Sequence, residues 1–415
     1  MRSYLDLVKT YPRLLSFGLL HAFFVNLGMM FTLGIFVPHI RASFGMQRTE
    51  FGAVYLVATL VAAFFFPHFG RLIDRFNLRL YSHAVGLSVL AACWITASAT
   101  TVPVLALGLL GLRFSGHGLM GHVESTSVSR YFGHLRGKAL GITSLGYPLG
   151  TAVLPVFAAW LIARFDWRTS FFLLSSLFIL VFLPLGAWLL RGQADFQRPG
   201  GGVVGGPAES ATASLNRRDV LRSPYFYFIL PLSLLVPFCV SSFLFHQGSL
   251  SAYKGWGPSW VAYFLVGWGI SQILSTFGIG PMVDRFTARR ILPFHLLPMG
   301  AGFAILATGH SAVAGAVCFC LIGVSDGFGR NVKSALWAEV YGPRHVGAIR
   351  SMYFSIAVLA AAVGPTVYGG LLDAKMNIDT ILLSVVVMIA AFSLLSALAP
   401  DPRKQRTEDR ASAPV

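Results

Sequence analysis

Residues 70–79 read GRLIDRFNLR, and residues 280–289 read GPMVDRFTAR. Both stretches fit the pattern G-x3-D-R-x3-R, and both follow a long apolar segment. Pro155 and Pro365 recur at the same spacing of 210 residues, and a stretch rich in Gly, Pro, Ala and Ser lies between the two copies, at 192–224. Such composition is typical of a flexible linker. One charged turn would be a weak signal, but two at one repeat distance predict a duplicated unit.

The composition places both copies in a membrane. Hydrophobic residues make up 55% of the chain and charged residues only 12%, whereas soluble domains are roughly 25% charged. Segments of about 18 to 25 mostly apolar residues can cross a bilayer as helices. Twelve such spans are predicted, at 14–38, 51–70, 80–100, 103–129, 139–162, 170–191, 225–248, 259–281, 290–309, 312–337, 349–372 and 378–400.

The predicted fold class is therefore an all-α polytopic membrane protein with twelve transmembrane helices. The repeat divides them into an N-terminal six-helix bundle at 1–191, a cytoplasmic linker at 192–224, a C-terminal six-helix bundle at 225–400 and a cytoplasmic tail at 401–415. The four cysteines lie within apolar spans, where they are expected to be packing residues rather than disulfide or metal ligands.

The formal net charge of +16 is distributed unequally between the loops on the two sides of the membrane. With a cytoplasmic N-terminus, the two tails and the even-numbered loops hold 23 Lys and Arg residues, and the odd-numbered loops hold 6. This asymmetry follows the positive-inside rule and predicts a multi-pass protein of the cell (inner) membrane with both termini in the cytoplasm. The basic charge indicates contact with anionic lipid, and no nucleic-acid partner is expected.

These motifs resemble those of the major facilitator superfamily. The first loop is similar to that family's G-x-L-x-D-R-x-G-x-R signature, with Asn77 in place of the second Gly. Further resemblance lies in RFSGHG from Arg113, RGKALGI from Arg136, DWR from Asp166 and GPTVYGG from Gly364. The resemblance implies a secondary active transporter in which two bundles surround a central cavity, lined mainly by helices 1, 4, 7 and 10, that opens alternately to each side.

Within the family, the RGKALGI and DWR segments most resemble the monocarboxylate and oxalate/formate porters. Those porters carry an Asp-x3-Arg pair on the eighth helix, whereas here Asp326 and Arg330 lie on the tenth span. The repeated loops resemble conformational latches, which we call the gating loops: Gly70, Asp74, Arg75, Arg79, Gly280, Asp284, Arg285 and Arg289.

Polar groups at bilayer depth concentrate in the four cavity helices. Because a charge there costs about 2.5 to 3.5 kcal/mol, such side chains are expected to face a cavity or a partner. The candidate cavity residues are His21 and Asn26 on span 1, Arg113, His117 and Glu124 on span 4, His246 and Gln247 on span 7, and Asp326, Arg330 and Lys333 on span 10.

Spacing on spans 4 and 10 sharpens this prediction. At about 100° per residue, Asp326, Arg330 and Lys333 share one face of a helix. Arg113, His117 and Glu124 also share a face, while His122 points away. With a repeat of 209 residues, His117 corresponds to Asp326 and Glu124 to Lys333. A polar cavity of mixed charge is expected.

The chemistry of these groups favours a small organic anion such as a monocarboxylate, because Arg recognises carboxylates through paired hydrogen bonds. Protonation of Glu124 or Asp326 would release a paired cation and couple proton movement to transport. Other readings stay open. Asp326 and Arg330 are also compatible with a static i,i+4 pair, Lys333 and Glu124 with a gate, and His21 and His246 with simple packing.

Three other functions remain as alternatives. The aromatic content of 13% is compatible with drug or amphiphile efflux. A membrane-embedded enzyme built on His117, His122 and Glu124 lacks a spacing such as H-E-x-x-H, and a non-transporting receptor is the third alternative. We predict a monomeric transporter that is not an enzyme, that needs no cofactor or metal, and whose partners are a small anionic molecule, the proton and the lipid bilayer.

Overall fold

The computed structural model describes residues 4–132, 135–192, 217–257, 259–341 and 346–400. Across these ranges the regular structure is helical, and twelve helical segments are long and apolar enough to cross a bilayer. The predicted fold class and the number of spans are thereby confirmed.

The transmembrane helices are numbered α1 to α12, and several are divided into pieces. In the first half they are α1a (Pro12–Phe24) and α1b (Met30–Phe44), α2 (Arg48–Gly70), α3 (Leu78–Ser98), α4 (Val102–Gly111, Leu112–Leu119 and Met120–Phe132), α5 (Arg136–Thr143 and Gly146–Ile162) and α6 (Trp167–Leu189). In the second half they are α7 (Pro224–Phe245), α8 (Trp260–Phe286), α9 (Ala288–Ile291 and Leu297–Thr308), α10 (Ala312–Tyr341), α11 (Val346–Asp373) and α12 (Ile378–Ala397). Short helices flank these at Tyr4–Thr10, Arg217–Arg222 and Gln247–Lys254.

One compact unit is formed by the described residues within Met1–Ala208, Leu244–Ala252 and Trp256–Val266. In it, α1a packs against α4, α5 and α6, and α3 packs against α4 and α6. Phe24, Phe178 and Phe182 form an aromatic cluster whose ring centroids lie 4.9 to 6.0 Å apart. These close packing contacts hold α1a in the middle of the helices that carry the candidate residues.

A second compact unit is formed by the described residues within Glu209–Phe243, Tyr253–Gly255 and Gly267–Val415. In this unit α9 packs against α10 and α12. A Cβ atom on Gly323 would lie 2.4 Å from the carbonyl oxygen of Trp268, and one on Gly327 would lie 2.6 Å from that of Gln272. Glycine at these two positions therefore lets the backbones of α10 and α8 touch.

The DWR segment ties α6 to α3. The Asp166 carboxylate caps α6 by accepting hydrogen bonds from the amides of Arg168 at 2.8 Å and Thr169 at 3.1 Å. A further hydrogen bond from the Thr169 hydroxyl lowers the pKa of Asp166 below its ordinary value. Arg168 donates through Nη1 to the carbonyl oxygens of Ala97 at 2.7 Å and Ala99 at 2.6 Å. The motif that suggested the family thus has a structural role in this unit.

A buried lysine binds the free carbonyl oxygens at the C-terminal end of α9. The Lys254 side chain is 0% exposed, and its ammonium donates to the carbonyl oxygens of Leu306 at 2.6 Å and Gly309 at 3.1 Å. It also pairs with the Asp379 carboxylate at 2.7 Å, and the Tyr253 hydroxyl donates to the other carboxylate oxygen at 2.7 Å. By the predicted spans, Lys254 is one of the six cations of the odd-numbered loops, whereas the structure places it in the core of the second unit.

Candidate functional site

Helix α1 is interrupted where it meets α4. After α1a a short 3-10 turn, Val25–Leu27, leads to Gly28, and α1b starts at Met30. A Cβ atom on Gly28 would lie 2.4 Å from both the Leu112 carbonyl oxygen and the His117 amide nitrogen. Only glycine therefore fits at this crossing.

The facing part of α4 is also irregular, because Leu112–Leu119 forms a π-helical segment. Such segments are rare in proteins, and many of those that occur lie at functional sites. The angular positions calculated for a regular helix therefore do not apply across this stretch, which contains both Arg113 and His117.

Arg113 is buried beside the interruption in α1, with a relative exposure of 8%. Its Nη1 donates to the Gly28 carbonyl oxygen at 3.2 Å, and its Cζ lies 5.3 Å from the centre of the Tyr55 ring. Its Nε has no hydrogen-bond partner. Among the residues that the structure describes, no carboxylate forms an ion pair with Arg113, so the guanidinium is a buried charge without a counterion.

Two other predicted residues of α4 are enclosed in the same unit. The Nδ1 atom of His117 is buried and lacks a hydrogen-bond partner. Glu124 is 3% exposed and accepts a hydrogen bond from the Thr143 hydroxyl at 2.5 Å. His122 points elsewhere, as predicted, because its Nε2 lies 3.0 Å from the Gly70 carbonyl oxygen.

The predicted residues of α1a and of the 3-10 turn after it, His21 and Asn26, have complete sets of hydrogen-bond partners. Both ring nitrogens of His21 are in hydrogen-bond contact, one with the Phe17 carbonyl at 2.8 Å and the other with the Ser82 hydroxyl at 2.9 Å. Asn26 donates to the Tyr147 carbonyl at 3.0 Å and accepts from the Thr151 hydroxyl at 3.0 Å. Asn26 thus fastens the 3-10 turn of α1 to α5, and His21 fastens α1a to α3.

His246 and Gln247 follow α7 and belong to the first unit. Both are buried, with exposures of 3% and 2%. Neither polar atom of the Gln247 amide has a hydrogen-bond partner, and its Nε2 lies 2.4 Å from where a Cβ atom on Gly34 would be. Gln247 is therefore a buried amide that could hydrogen-bond to a bound molecule.

In the second unit, Asp326 is shared by two partners. Its Oδ2 accepts hydrogen bonds from Gln272 of α8 at 2.5 Å and from Arg330 at 3.4 Å. The sequence placed Asp326 and Arg330 on one face, but it did not point to Gln272, because a lone Gln in an apolar span has no distinctive spacing. Lys333, on the same helix, has its Nζ 5.7 Å from the centre of the Tyr353 ring.

The first gating loop contacts the end of α4. The Asp74 carboxylate forms an ion pair with Arg130, while the side chains of Arg75 and Arg79 are exposed. In the second loop, Arg289 donates to the Ala399 carbonyl at 3.4 Å and lies over the Tyr225 ring, and Arg285 lies over the ring of Phe286. The side chain of Asp284 and the immediate surroundings of Gly280 fall outside the described part of this loop.

Comparison with known proteins identifies the family. A sequence model described as "Major Facilitator Superfamily" matches residues 19–279 and 249–414. The chain belongs to the major facilitator superfamily. The crystal structure of the nucleoside transporter NupG superposes on this transporter with a TM-score of 0.68 at 14% identity, covering 94% of this chain and 97% of that one. At this identity the match shows the shared fold alone.

Two curated relatives of this transporter have names that refer to carboxylates. Monocarboxylate transporter 13 of Bos taurus is 25% identical over 268 residues, which are 64% of this chain and 60% of the relative. The oxalate:formate antiporter of Oxalobacter formigenes is 22% identical over 203 residues, 48% of this chain and 46% of that protein. Each alignment spans less than two thirds of the relative's length. The resemblance to these two groups is confirmed, and the chain is a multi-pass membrane transporter.

Proposed function

We propose that this transporter moves a small organic anion, such as a monocarboxylate, by proton-coupled symport or by exchange. The observation that carries the proposal is the buried Arg113 guanidinium, which has a free Nε and no carboxylate partner within the described chain. Removing a charge from water is costly unless a counterion compensates it. A substrate carboxylate would supply that counterion and bind to the planar guanidinium through paired hydrogen bonds.

The names of the relatives support the same substrate class. The bovine relative is named for monocarboxylates and the bacterial one for oxalate and formate, and all of these are small carboxylate anions. We further propose that the substrate crosses the cell membrane through a monomer whose two termini are cytoplasmic, as the loop charges predict.

Proton coupling is assigned to Asp326 and Glu124. Asp326 lies 3.4 Å from Arg330 and is 18% exposed at its side chain, so that it can exchange a proton with water. Protonation would weaken its attraction for Arg330 and free that cation. Glu124, held by Thr143 within the first unit, is the second candidate.

Uptake into proteoliposomes tests the proposal. Radiolabelled acetate, L-lactate, oxalate and a cationic dye are supplied with and without an inward proton gradient, to the wild type and to Arg113→Gln and Arg164→Gln. Because a hydrogen bond to a charged group contributes about 1.5 to 3 kcal/mol, Arg113→Gln is expected to lower carboxylate uptake by roughly 10- to 150-fold.

Arg164→Gln is the matched control, since Arg164 is an exposed residue in the loop after α5. It should transport as the wild type does. Dye movement without carboxylate uptake would contradict the proposal and favour amphiphile efflux, the alternative function.

A further inference from the structure

We infer that the interruption of α1 is the subsite for the substrate's carboxylate group, which would bind between the first turn of α1b and Arg113. This inference rests on the proposed anion transport, but it adds an element that is not a charged side chain. It predicts that backbone amides of helix 1 recognise the anion, and that Met29 marks the edge of the subsite.

The N-terminus of α1b has the features of an anion site. Met29 precedes the helix in an extended conformation, with φ −96° and ψ 160°, and no side chain caps the first turn. The opening N–H groups of any α-helix lack partners within the helix, and the helix dipole places partial positive charge there. α1b is 15 residues long, which is enough to develop that dipole.

This helix start is shielded from water by the protein. Met30 is 5% exposed and Thr32 is 2% exposed, and the Thr32 hydroxyl has no hydrogen-bond partner. In the interior of a membrane protein, an unsatisfied backbone group costs several kcal/mol. A bound carboxylate would accept hydrogen bonds from these groups.

Arg113 provides independent evidence at the same place. Its Nη1 donates to the Gly28 carbonyl oxygen at 3.2 Å, one residue before Met29, and its Nε is unpartnered. The Gly28 carbonyl leaves the guanidinium with hydrogen-bond donors to spare, since arginine has five. A carboxylate at the interruption would therefore meet a full positive charge and the dipole of α1b together.

Tight packing fixes the positions of both groups. A Cβ atom on Gly116 would lie 3.0 Å from the Gly28 Cα atom, so the two backbones touch. Asn26, two residues before Gly28, is bonded to α5 through Tyr147 and Thr151. A subsite held in this way needs little rearrangement when the anion binds.

A capping carboxylate introduced by mutation tests the inference. The full-length transporter in detergent binds radiolabelled L-lactate in a scintillation proximity assay, with acetate and its neutral isostere acetamide as competitors. In Met29→Asp the new carboxylate would occupy the first turn of α1b and lower the affinity for lactate at least tenfold. Ala42→Asp is the control, because it places the same carboxylate at an exposed position near the C-terminal end of α1b, and it should change the affinity less than threefold.

The outcomes separate this inference from the proposed function. If Met29→Asp binds lactate like the wild type while Arg113→Gln does not, the subsite is wrong and anion transport stands. Equal losses in Met29→Asp and Ala42→Asp would also overturn the subsite, because the position of the new charge would have no role. If the wild type binds none of the carboxylates, the proposed function fails and the subsite fails with it.

A second measurement does not depend on an introduced charge. In a Cys320→Ala background, Met29→Cys and Phe23→Cys are labelled with anionic and cationic methanethiosulfonates. Phe23 lies at the C-terminal end of α1a, where the dipole has the opposite sign. Labelling of Met29→Cys should favour the anionic reagent at least fivefold more than labelling of Phe23→Cys does, and lactate should slow it. Equal ratios at the two positions would overturn the inference.

Discussion

Arg168 and Lys254 perform the same task in the two units of this transporter. Arg168 donates to the carbonyl oxygens of Ala97 and Ala99 at the end of α3, and Lys254 donates to those of Leu306 and Gly309 at the end of α9. The two pairs of carbonyls correspond under the internal repeat, at spacings of 209 and 210 residues. The cations come from different segments, so the two repeats place the same kind of contact at matching carbonyls with different residues.

Lys254→Met should destabilise the transporter by about 3 kcal/mol, because removing one partner of a buried ion pair leaves the other charge without a counterion. The Asp379 carboxylate and two carbonyl oxygens would lose their shared donor. The melting temperature in detergent measures the loss. Lys375→Met, an exposed residue in a neighbouring loop, is the control and should melt like the wild type. Equal melting temperatures for the two variants would show that the Lys254 contacts contribute nothing.

Tyr253 should give the transporter an alkaline limit to its stability. Its hydroxyl donates to the Asp379 carboxylate, which raises the pKa of Tyr253 above its ordinary value of 10.0. A group whose pKa is raised by folding contributes stability below its unfolded-state pKa, and loses it as the pH rises through the folded value. The melting temperature of the wild type should therefore fall more steeply above pH 10 than that of Tyr253→Phe. Parallel curves would contradict this assignment.

Gly28→Ala should abolish or strongly reduce transport. The new methyl group would lie 2.4 Å from two backbone atoms of α4, which cannot turn away as a side chain can. Overpacking of this kind costs typically 1 to 3 kcal/mol and shifts the backbone. Gly141→Ala is the control, because no atom lies within 4 Å of a Cβ there. Lactate uptake should drop at least tenfold in Gly28→Ala and should be retained in Gly141→Ala.

Asp326→Asn distinguishes a static ion pair from one that opens during transport. If Asp326 carries the coupled proton, the variant should lose the stimulation of uptake by a proton gradient, while exchange of internal for external lactate continues. Gln272 can still hydrogen-bond to the new amide, so the helices should stay in contact. Gradient-stimulated uptake that persists unchanged in Asp326→Asn would identify Asp326 and Arg330 as a structural pair.

The fold was predictable because it depends on properties of long segments, such as mean hydropathy and a repeated motif, rather than on single contacts. Hydropathy located all twelve spans, and the loops from Gly70 and Gly280 located the repeat. The ends of helices were less certain. α1b continues to Phe44, past the predicted end at residue 38, because Pro38 is accommodated inside the helix.

The details of the site were less predictable, because they depend on local departures from regular structure. The sequence singled out Arg113 as an intramembrane cation, but neither the interruption of α1 between Phe24 and Met30 nor the π-helical segment of α4 follows from hydropathy or periodicity. Gln272 and Lys254 were missed for a related reason, since their partners are 54 and 125 residues away along the chain. Spacing within a single helix cannot show contacts between residues so far apart in the chain.

A π-helical turn contains one residue more than an α-helical turn. The extra residue of Leu112–Leu119 is absorbed within the wider turns, so the rest of α4 keeps nearly the orientation of a regular helix that is one residue shorter. Deleting one residue there should therefore leave Glu124 beside Thr143 and Arg130 beside Asp74. The extra residue alters the stretch that carries Arg113 and His117, and the contacts of the buried carboxylate and the gating loop further along α4 do not depend on it.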